Sequence, residues 1–306
     1  MRKRAARILL VLDLIVALIA FAQPPQAADP KPGTARAERP AEGKEVLEPL
    51  GPPPAQTLLA AAADYCRRLQ EAALYFVCKE EVRERLSRAL TAQAGIPSDM
   101  DPYGRASLSL GGAGKIREWE YDYQLIRKEG RTEETRTLLK ENGSTKHEEN
   151  AKLATVRFEH SNVVLGPVGL LSAAAQRLHD YGIVKEMEMA GEAVVVVDVR
   201  PRSQDASSLY GKAWIRRRDG AVLRIEWEPA SLGNYQEIAR MASEYGVRPK
   251  ISFMSEYAFE KNGLRFPSAY SVAEDYQIAG QMAKMSKTEV TYKDYKFFLV
   301  RTEVKY

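Results

Sequence analysis

Two stretches of the chain alternate apolar and polar residues around a central turn dipeptide. In Ile251–Val272 the dipeptide is Asn262-Gly263. Both positions of a type I′ turn need positive φ, which Asn-Gly tolerates, so the stretch predicts a two-residue hairpin. That register sets Lys261 opposite Leu264, Phe259 opposite Phe266, Ser255 opposite Tyr270 and Phe253 opposite Val272. Ile251, Phe253, Tyr257, Phe259, Phe266, Tyr270 and Val272 then share one face. A slip of one residue would destroy that agreement. The second stretch, Leu209–Glu228, turns at Asp219-Gly220. The same rule sets Trp214 opposite Ile225 and Lys212 opposite Trp227, with Trp214, Leu223, Ile225 and Trp227 on one face.

The other elements follow in chain order. Apolar residues three and four apart predict a helix over Gln56–Ala73. Tyr75–Leu86 fits a continued helix or a strand with Phe76, Cys78, Val82 and Leu86 on one side; the strand is the favoured reading. Ile116–Lys128 alternates, with Trp119, Tyr121, Tyr123 and Leu125 pointing one way, and Glu133–Glu141 returns beside it. The acids between the aromatic positions read as a solvated face, not an acid–base pair. Thr155–Leu165 is expected as a strand and Val168–Asp180 as a helix opened by Pro167. Ile183–Met189 and Glu192–Arg200 read as strands, with Val194–Val197 buried on both faces. Asn234–Tyr245 reads as a helix capped by Gly246. Gln277–Met285 reads as a loop, and Ser286–Tyr306 as a final strand with a bulge at Lys293-Asp294. These elements predict an α+β domain over residues 56–306. A curved, mostly antiparallel sheet is covered by the long N-terminal helix and short lid helices.

Ahead of that domain, MRKRAAR is a basic leader and Ile8–Ala22 an apolar run ending in Ala20-Phe21-Ala22. Residues 1–22 read as an export signal, with retention of residues 8–22 as an inner-membrane anchor as the alternative. Residues 23–55 are rich in Pro and lack an apolar period, so they read as a disordered tether. The 306 residues are 28% charged, with a formal net charge of +4. The charge is dispersed and forms no basic stripe, which argues against nucleic acid. The only two cysteines, Cys66 and Cys78, suit a disulfide in an exported chain. In one continuous helix they would lie ~18 Å apart, so a bridge requires the chain to reverse between them. Neither has a neighbouring His, so no metal site is expected. His147, His160 and His179 are scattered, and no nucleophile or metal motif is present. The run Leu110–Lys115 lacks the residues of a phosphate loop. No cofactor and no enzymatic activity are expected.

Four strings carry a family resemblance: Tyr210-Gly-Lys-Ala-Trp-Ile215, Glu256-Tyr-Ala-Phe259, Asn262-Gly-Leu-Arg-Phe-Pro267 and Val290-Thr-Tyr-Lys-Asp-Tyr-Lys-Phe297. With the element order, they resemble the periplasmic lipoprotein-carrier (LolA-like, outer membrane lipoprotein-sorting) superfamily from about Gln56 onward. The resemblance implies an unclosed half-barrel whose cavity between sheet and helices holds acyl chains. It also implies a periplasmic protein that binds and transports lipid or lipoprotein. The two aromatic faces give the expected cavity lining: Trp214, Ile225, Trp227, Phe253, Tyr257, Phe259, Phe266 and Tyr270. Met241, Met282 and Met285 are adaptable lid residues. The alternative is an envelope-stress sensor or protein-interaction module of the same fold, with an envelope protein as partner.

Overall fold

The computed structural model describes residues 55–87, 114–129, 131–203, 209–232, 235–244, 246–278 and 281–298. The expected leader and the tether up to residue 54 lie outside them. In chain order the strands are β1 (Phe76–Leu86), β2 (Ile116–Lys128), β3 (Arg131–Glu141), β4 (Ser144–Glu148), β5 (His179–Met189), β6 (Glu192–Pro201), β7 (Gly211–Arg216), β8 (Val222–Trp227), β9 (Arg248–Glu256), β10 (Phe259–Lys261), β11 (Leu264–Phe266), β12 (Ala269–Ile278) and β13 (Gln281–Phe297). Eleven of them form one sheet in the order β4-β3-β2-β1-β13-β12-β9-β8-β7-β6-β5, while β10 and β11 pair only with each other. Neighbouring strands are antiparallel throughout. The outermost strands, β4 and β5, do not meet, so the sheet is not closed into a barrel. Register shifts interrupt several ladders, and such bulges bend and twist the strands that carry them.

Four α-helices accompany the sheet: α1 (Ala55–Ala72), α2 (Gly166–Leu171), α3 (Ala173–Gln176) and α4 (Tyr235–Glu244). The apolar stripe of α1 buries Leu58, Ala62, Tyr65, Cys66 and Leu69. These residues join one core with the inward side chains of the sheet and with Leu170 and Leu171 of α2. The opposite side of α1 carries Asp64, Arg67 and Glu71 in exposed ion pairs. The Tyr65 hydroxyl donates to the Arg265 carbonyl at 3.1 Å and accepts from the Arg265 N–H at 3.2 Å. One buried tyrosine thereby ties α1 to β11.

The Asn262-Gly263 register is the observed one: Phe259 pairs with Phe266, Ser255 with Tyr270, and Phe253 with Val272. Asn262 and Gly263 have φ of 52° and 73°, as the turn requires. The hairpin is nevertheless broken into two pieces. Pro267 has no N–H to give, and the Tyr257 N–H leaves the hairpin to donate to Leu223. The β10–β11 tip therefore pairs on its own.

The second hairpin differs from expectation. Gly211 pairs with Trp227 and Ala213 with Ile225, one residue away from the predicted register. Four residues, Arg217–Gly220, make the turn, and among them only Gly220 has positive φ (72°). Asp219 accepts from the Arg216 guanidinium and from the Ala221 N–H. Arg216 is 1% exposed and also reaches Glu192 and Glu260. This buried arginine organises a longer loop, and a bulge between Trp214 and Ile215 leaves the rest of β7 one residue out of the predicted register.

Three other expectations are corrected. Val168–Asp180 is two short helices followed by β5, because Ser172 breaks the run by capping α3. Of Gln277–Met285, expected as a loop, Gln277 and Ile278 belong to β12 and Gln281–Met285 to β13; Met285 is buried in the core, while Met282 is 45% exposed. Cys66 and Cys78 are free and buried. The chain reverses only after Ala72, which leaves Cys66 ~9 Å back along α1. The Cys66 thiol donates to the Pro167 carbonyl at 3.3 Å, and burial pushes it up to about 12. The expected bulge near Asp294 is present, with φ of 55°.

Two tests follow from this packing. A Cβ at Gly220 would lie 2.4 Å from the backbone of Ala61 and Ala62, whereas one at Gly263 meets nothing within 4 Å. G263A should cost about 1–2 kcal/mol, the left-handed penalty alone. G220A should cost clearly more, because α1 must also shift. Urea melts of the two variants measure the difference. Thiol labelling without reductant should modify neither cysteine in the native chain and both after unfolding.

Candidate functional site

The strand registers set inward side chains in rows across the sheet. One row runs Arg117, Glu84, Thr288, Val272 and Phe253. The next runs Trp119, Val82, Val290, Tyr270 and Ser255, and a third sets Tyr121, Glu80 and Tyr292 side by side. The result is an aromatic wall on β8, β9 and β12 with carboxylates set into β1.

Of the eight residues expected to line a cavity, seven join this inner core. Trp227 stacks on Phe253 at 5.6 Å, Phe253 meets Tyr270 edge-on at 5.4 Å, and the Trp227 indole N–H donates to Ser255 Oγ. Ile225 and Tyr257 are fully buried. Phe259 and Phe266 form a separate group at the β10–β11 tip with Phe76, Tyr295 and Phe297. Trp214 is the exception. The one-residue offset of β7 turns it to the opposite face, where it packs with Val194, Val196 and Leu223. A cavity of about 390 Å³ lies away from the wall, at the β1–β13 bulge, lined by Val77, Cys78, Lys79, Asp122, Asp294, Tyr295 and Lys296.

The segment expected as a strand, Thr155–Leu165, is instead most of an irregular strap. Residues 151–162 run irregularly across the inner face after β4, and Val163–Leu165 form a 3-10 turn that leads into α2. Irregular backbone in a core needs partners for its N–H and C=O groups. Here the sheet supplies them largely through side chains. Glu84 accepts the N–H of Val156 (2.8 Å) and of Arg157 (3.2 Å). Glu134 accepts the N–H of Asn162 at 2.7 Å. Arg117 donates to the Ala154 carbonyl, and Tyr257 to the Val163 carbonyl at 2.8 Å. Two strap side chains complete the seat. Arg157 forks onto both oxygens of Glu274, at 2.6 and 2.5 Å, and His160 Nε2 lies 2.8 Å from Glu80. The His160 ring also packs on Tyr270, 5.0 Å between centroids. Phe158, Val163 and Val164 are the strap's buried apolar residues.

Glu80, like Glu84, is fully buried. It receives the Arg136 guanidinium on both oxygens and the Tyr292 hydroxyl at 2.9 Å, in addition to His160. Burial pushes its pKa up, but the His160 and Arg136 contacts outweigh burial and hold it down at about 2. At Glu84 burial wins over the two backbone N–H bonds, and its pKa is raised. Glu84 Oε2, Thr288 Oγ1 and His160 Nδ1 are buried without a hydrogen-bond partner among the described residues.

Sequence patterning missed these acids, although it carried a signal. Glu80 and Glu84 fall on the same alternation as Phe76, Cys78, Val82 and Leu86, the buried side of β1. An acid on the apolar parity of a strand is a buried acid that needs a partner. Among the described residues no cluster of His, Cys, Asp and Glu is arranged to hold a metal ion, and no helix is long and apolar enough to cross a membrane.

No protein-family model matches the chain, and no curated protein matches it. Among solved structures it is similar to a candidate outer membrane lipoprotein-sorting protein domain from Vibrio parahaemolyticus, at 11% identity and a TM-score of 0.40, covering 82% of this chain and 95% of that one. It is similar to a DUF1329 family protein from Desulfovibrio piger, at 9% identity and 0.36, covering 78% and 92%. It is similar also to a LolA superfamily protein from Nitrosomonas europaea, at 9% identity and 0.33, covering 81% and 94%.

Glu80 makes stability depend on acid. Its folded value lies below the ordinary glutamate value of 4.5, so its contribution is full above about pH 5 and is lost as pH falls toward 2. The loss is on the order of 3 kcal/mol. Urea melts between pH 6 and 2.5 should show this slope, and E80Q should flatten it. At pH 7 E80Q should cost about 2–3 kcal/mol, because it leaves buried Arg136 with Glu134 as its remaining carboxylate partner.

Proposed function

We propose that this chain is an exported, carrier-like protein that binds lipid or lipoprotein, with an apolar chain lying on the inner aromatic face. The observation that carries the reading is the way this face is covered. Trp227, Phe253, Tyr270 and Tyr257 form a continuous apolar surface on an unclosed sheet. Their cover is not another strand: the irregular strap lies on Tyr270 through His160 and on Tyr257 through Val163, and α2 sets Gly166 against Trp227. Such a cover can leave without breaking a strand ladder. Each buried methylene is worth about 0.8 kcal/mol, so eight of them against the wall supply about 6 kcal/mol towards displacing the strap. The basic and apolar leader supports export, and the periplasm is the compartment proposed.

The alternative is a protein-interaction or sensor module of the same fold, and one observation favours it. β5 is an edge strand along which Ile183, Val184 and Met187 are 40%, 50% and 37% exposed, and an exposed edge is a template for strand addition by a partner.

Native mass spectrometry of protein taken from an envelope fraction, with displacement of a fluorescent fatty acid, decides between them. The carrier reading expects co-purifying lipid and saturable displacement, and expects F253D to abolish both. Absence of both, together with capture of an envelope protein through β5, would replace it with the alternative.

A further inference from the structure

The contacts that hold the strap are those of a peptide-binding site. Two successive backbone N–H groups are read by Glu84, a third by Glu134, an arginine by Glu274 and an imidazole by Glu80. These four acids come from three strands of the sheet, β1, β3 and β12, and all face one segment of chain. We infer that the strap is an internal stand-in for a bound polypeptide, and that the inner face takes an extended, arginine-bearing peptide in its place. The inference rests on the carrier reading of that face and narrows it: the ligand is an acylated or otherwise apolar polypeptide, not a free lipid.

The chemistry of exchange supports this occupant. An acyl chain alone would cover the aromatic wall but leave buried Glu84 with no hydrogen-bond donor, and Glu134 and Glu274 with only their donors from the sheet. Buried acceptors stripped of partners are costly. A peptide main chain restores the N–H groups, and a guanidinium restores the two-pronged contact to Glu274, a geometry that arginine fits and lysine does not. The local charge agrees. Of the basic groups around this seat, Arg136 is engaged by Glu80 and Glu134, Arg117 lies 4.0 Å from Glu84 and bonds the Ala154 carbonyl, and Arg157 belongs to the strap itself. The strap is also an imperfect occupant, because Glu84 Oε2 and its register partner Thr288 keep unused hydrogen-bonding capacity.

The test uses the full chain and a fluorescein-labelled peptide with the sequence of residues 151–165, read by anisotropy. The unmodified protein should bind it weakly, because its own strap holds the site. R157Q loosens the internal strap while leaving every acceptor in place, and should bind the peptide about tenfold tighter or better. The same peptide with Gln at its arginine should lose about tenfold on R157Q. E274Q also loosens the strap but removes the arginine acceptor, so it should show no gain. Y257F, which frees the strap at the Val163 carbonyl, serves as a second opening variant should R157Q fail to fold. Equal affinity of the two peptides for the opened protein, or no gain on opening, would overturn the inference. Fatty-acid displacement on the same samples separates the two claims. Peptide selectivity without fatty-acid binding removes the carrier reading alone, and fatty-acid binding without peptide selectivity removes this inference alone.

Discussion

A polypeptide that crosses a protein core without joining a helix or a sheet must find partners for its backbone. That constraint governs this molecule. The strap over the inner face cannot pair as a strand, because the strands beneath it already pair with one another. Its N–H groups are met by carboxylates that the sheet raises inward, and its arginine by another. Charge-assisted bonds of this kind are stronger than those between neutral groups, which lets a short irregular segment stay seated with one side against the core and the other exposed.

The same carboxylates explain an inner face that is only partly apolar. Buried acids are expensive, and their pairing rarely exceeds what a hydrocarbon core would give. What they provide is position. Glu80 is fixed by Arg136, Tyr292 and His160, and Glu274 by Tyr276, Ser286 and Arg157. Glu80 and Glu274 are therefore held by groups of the sheet as well as by groups of the strap, whereas the hydrogen bonds of Glu84 come from the strap. Removing the strap removes only part of the shells of Glu80 and Glu274. The aromatic wall between them belongs to the sheet alone, stacked on itself through Trp227, Phe253 and Tyr270.

Much of the sheet was legible in the residues because its signals are local. Asn262-Gly263 set a register that holds from Lys261 back to Phe253, and the alternation of β2 placed four buried residues correctly. Asp219-Gly220 misled for a physical reason: Arg216, buried beneath the turn, draws Asp219 inward and lengthens the loop. That one-residue offset carried Trp214 to the other face. Thr155–Leu165 has the β-branched content of a strand, and nothing local reveals that it crosses the face of the sheet instead of joining an edge. The inward acids were recoverable in part. Glu80 and Glu84 break an otherwise apolar parity, but their partners lie 56 and 72 residues away, beyond any periodicity.

The central claim is that the strap is seated on the sheet as a separable cover. Residue-resolved hydrogen exchange of the unmodified protein tests it most directly. The amides of Val156, Arg157 and Asn162 should exchange through a local opening, at rates well above those of the β1, β12 and β13 ladder amides, and with little dependence on dilute urea. Exchange of those three amides only through global unfolding, in step with the β1 and β13 amides, would show that strap and sheet are one unit and would contradict the account.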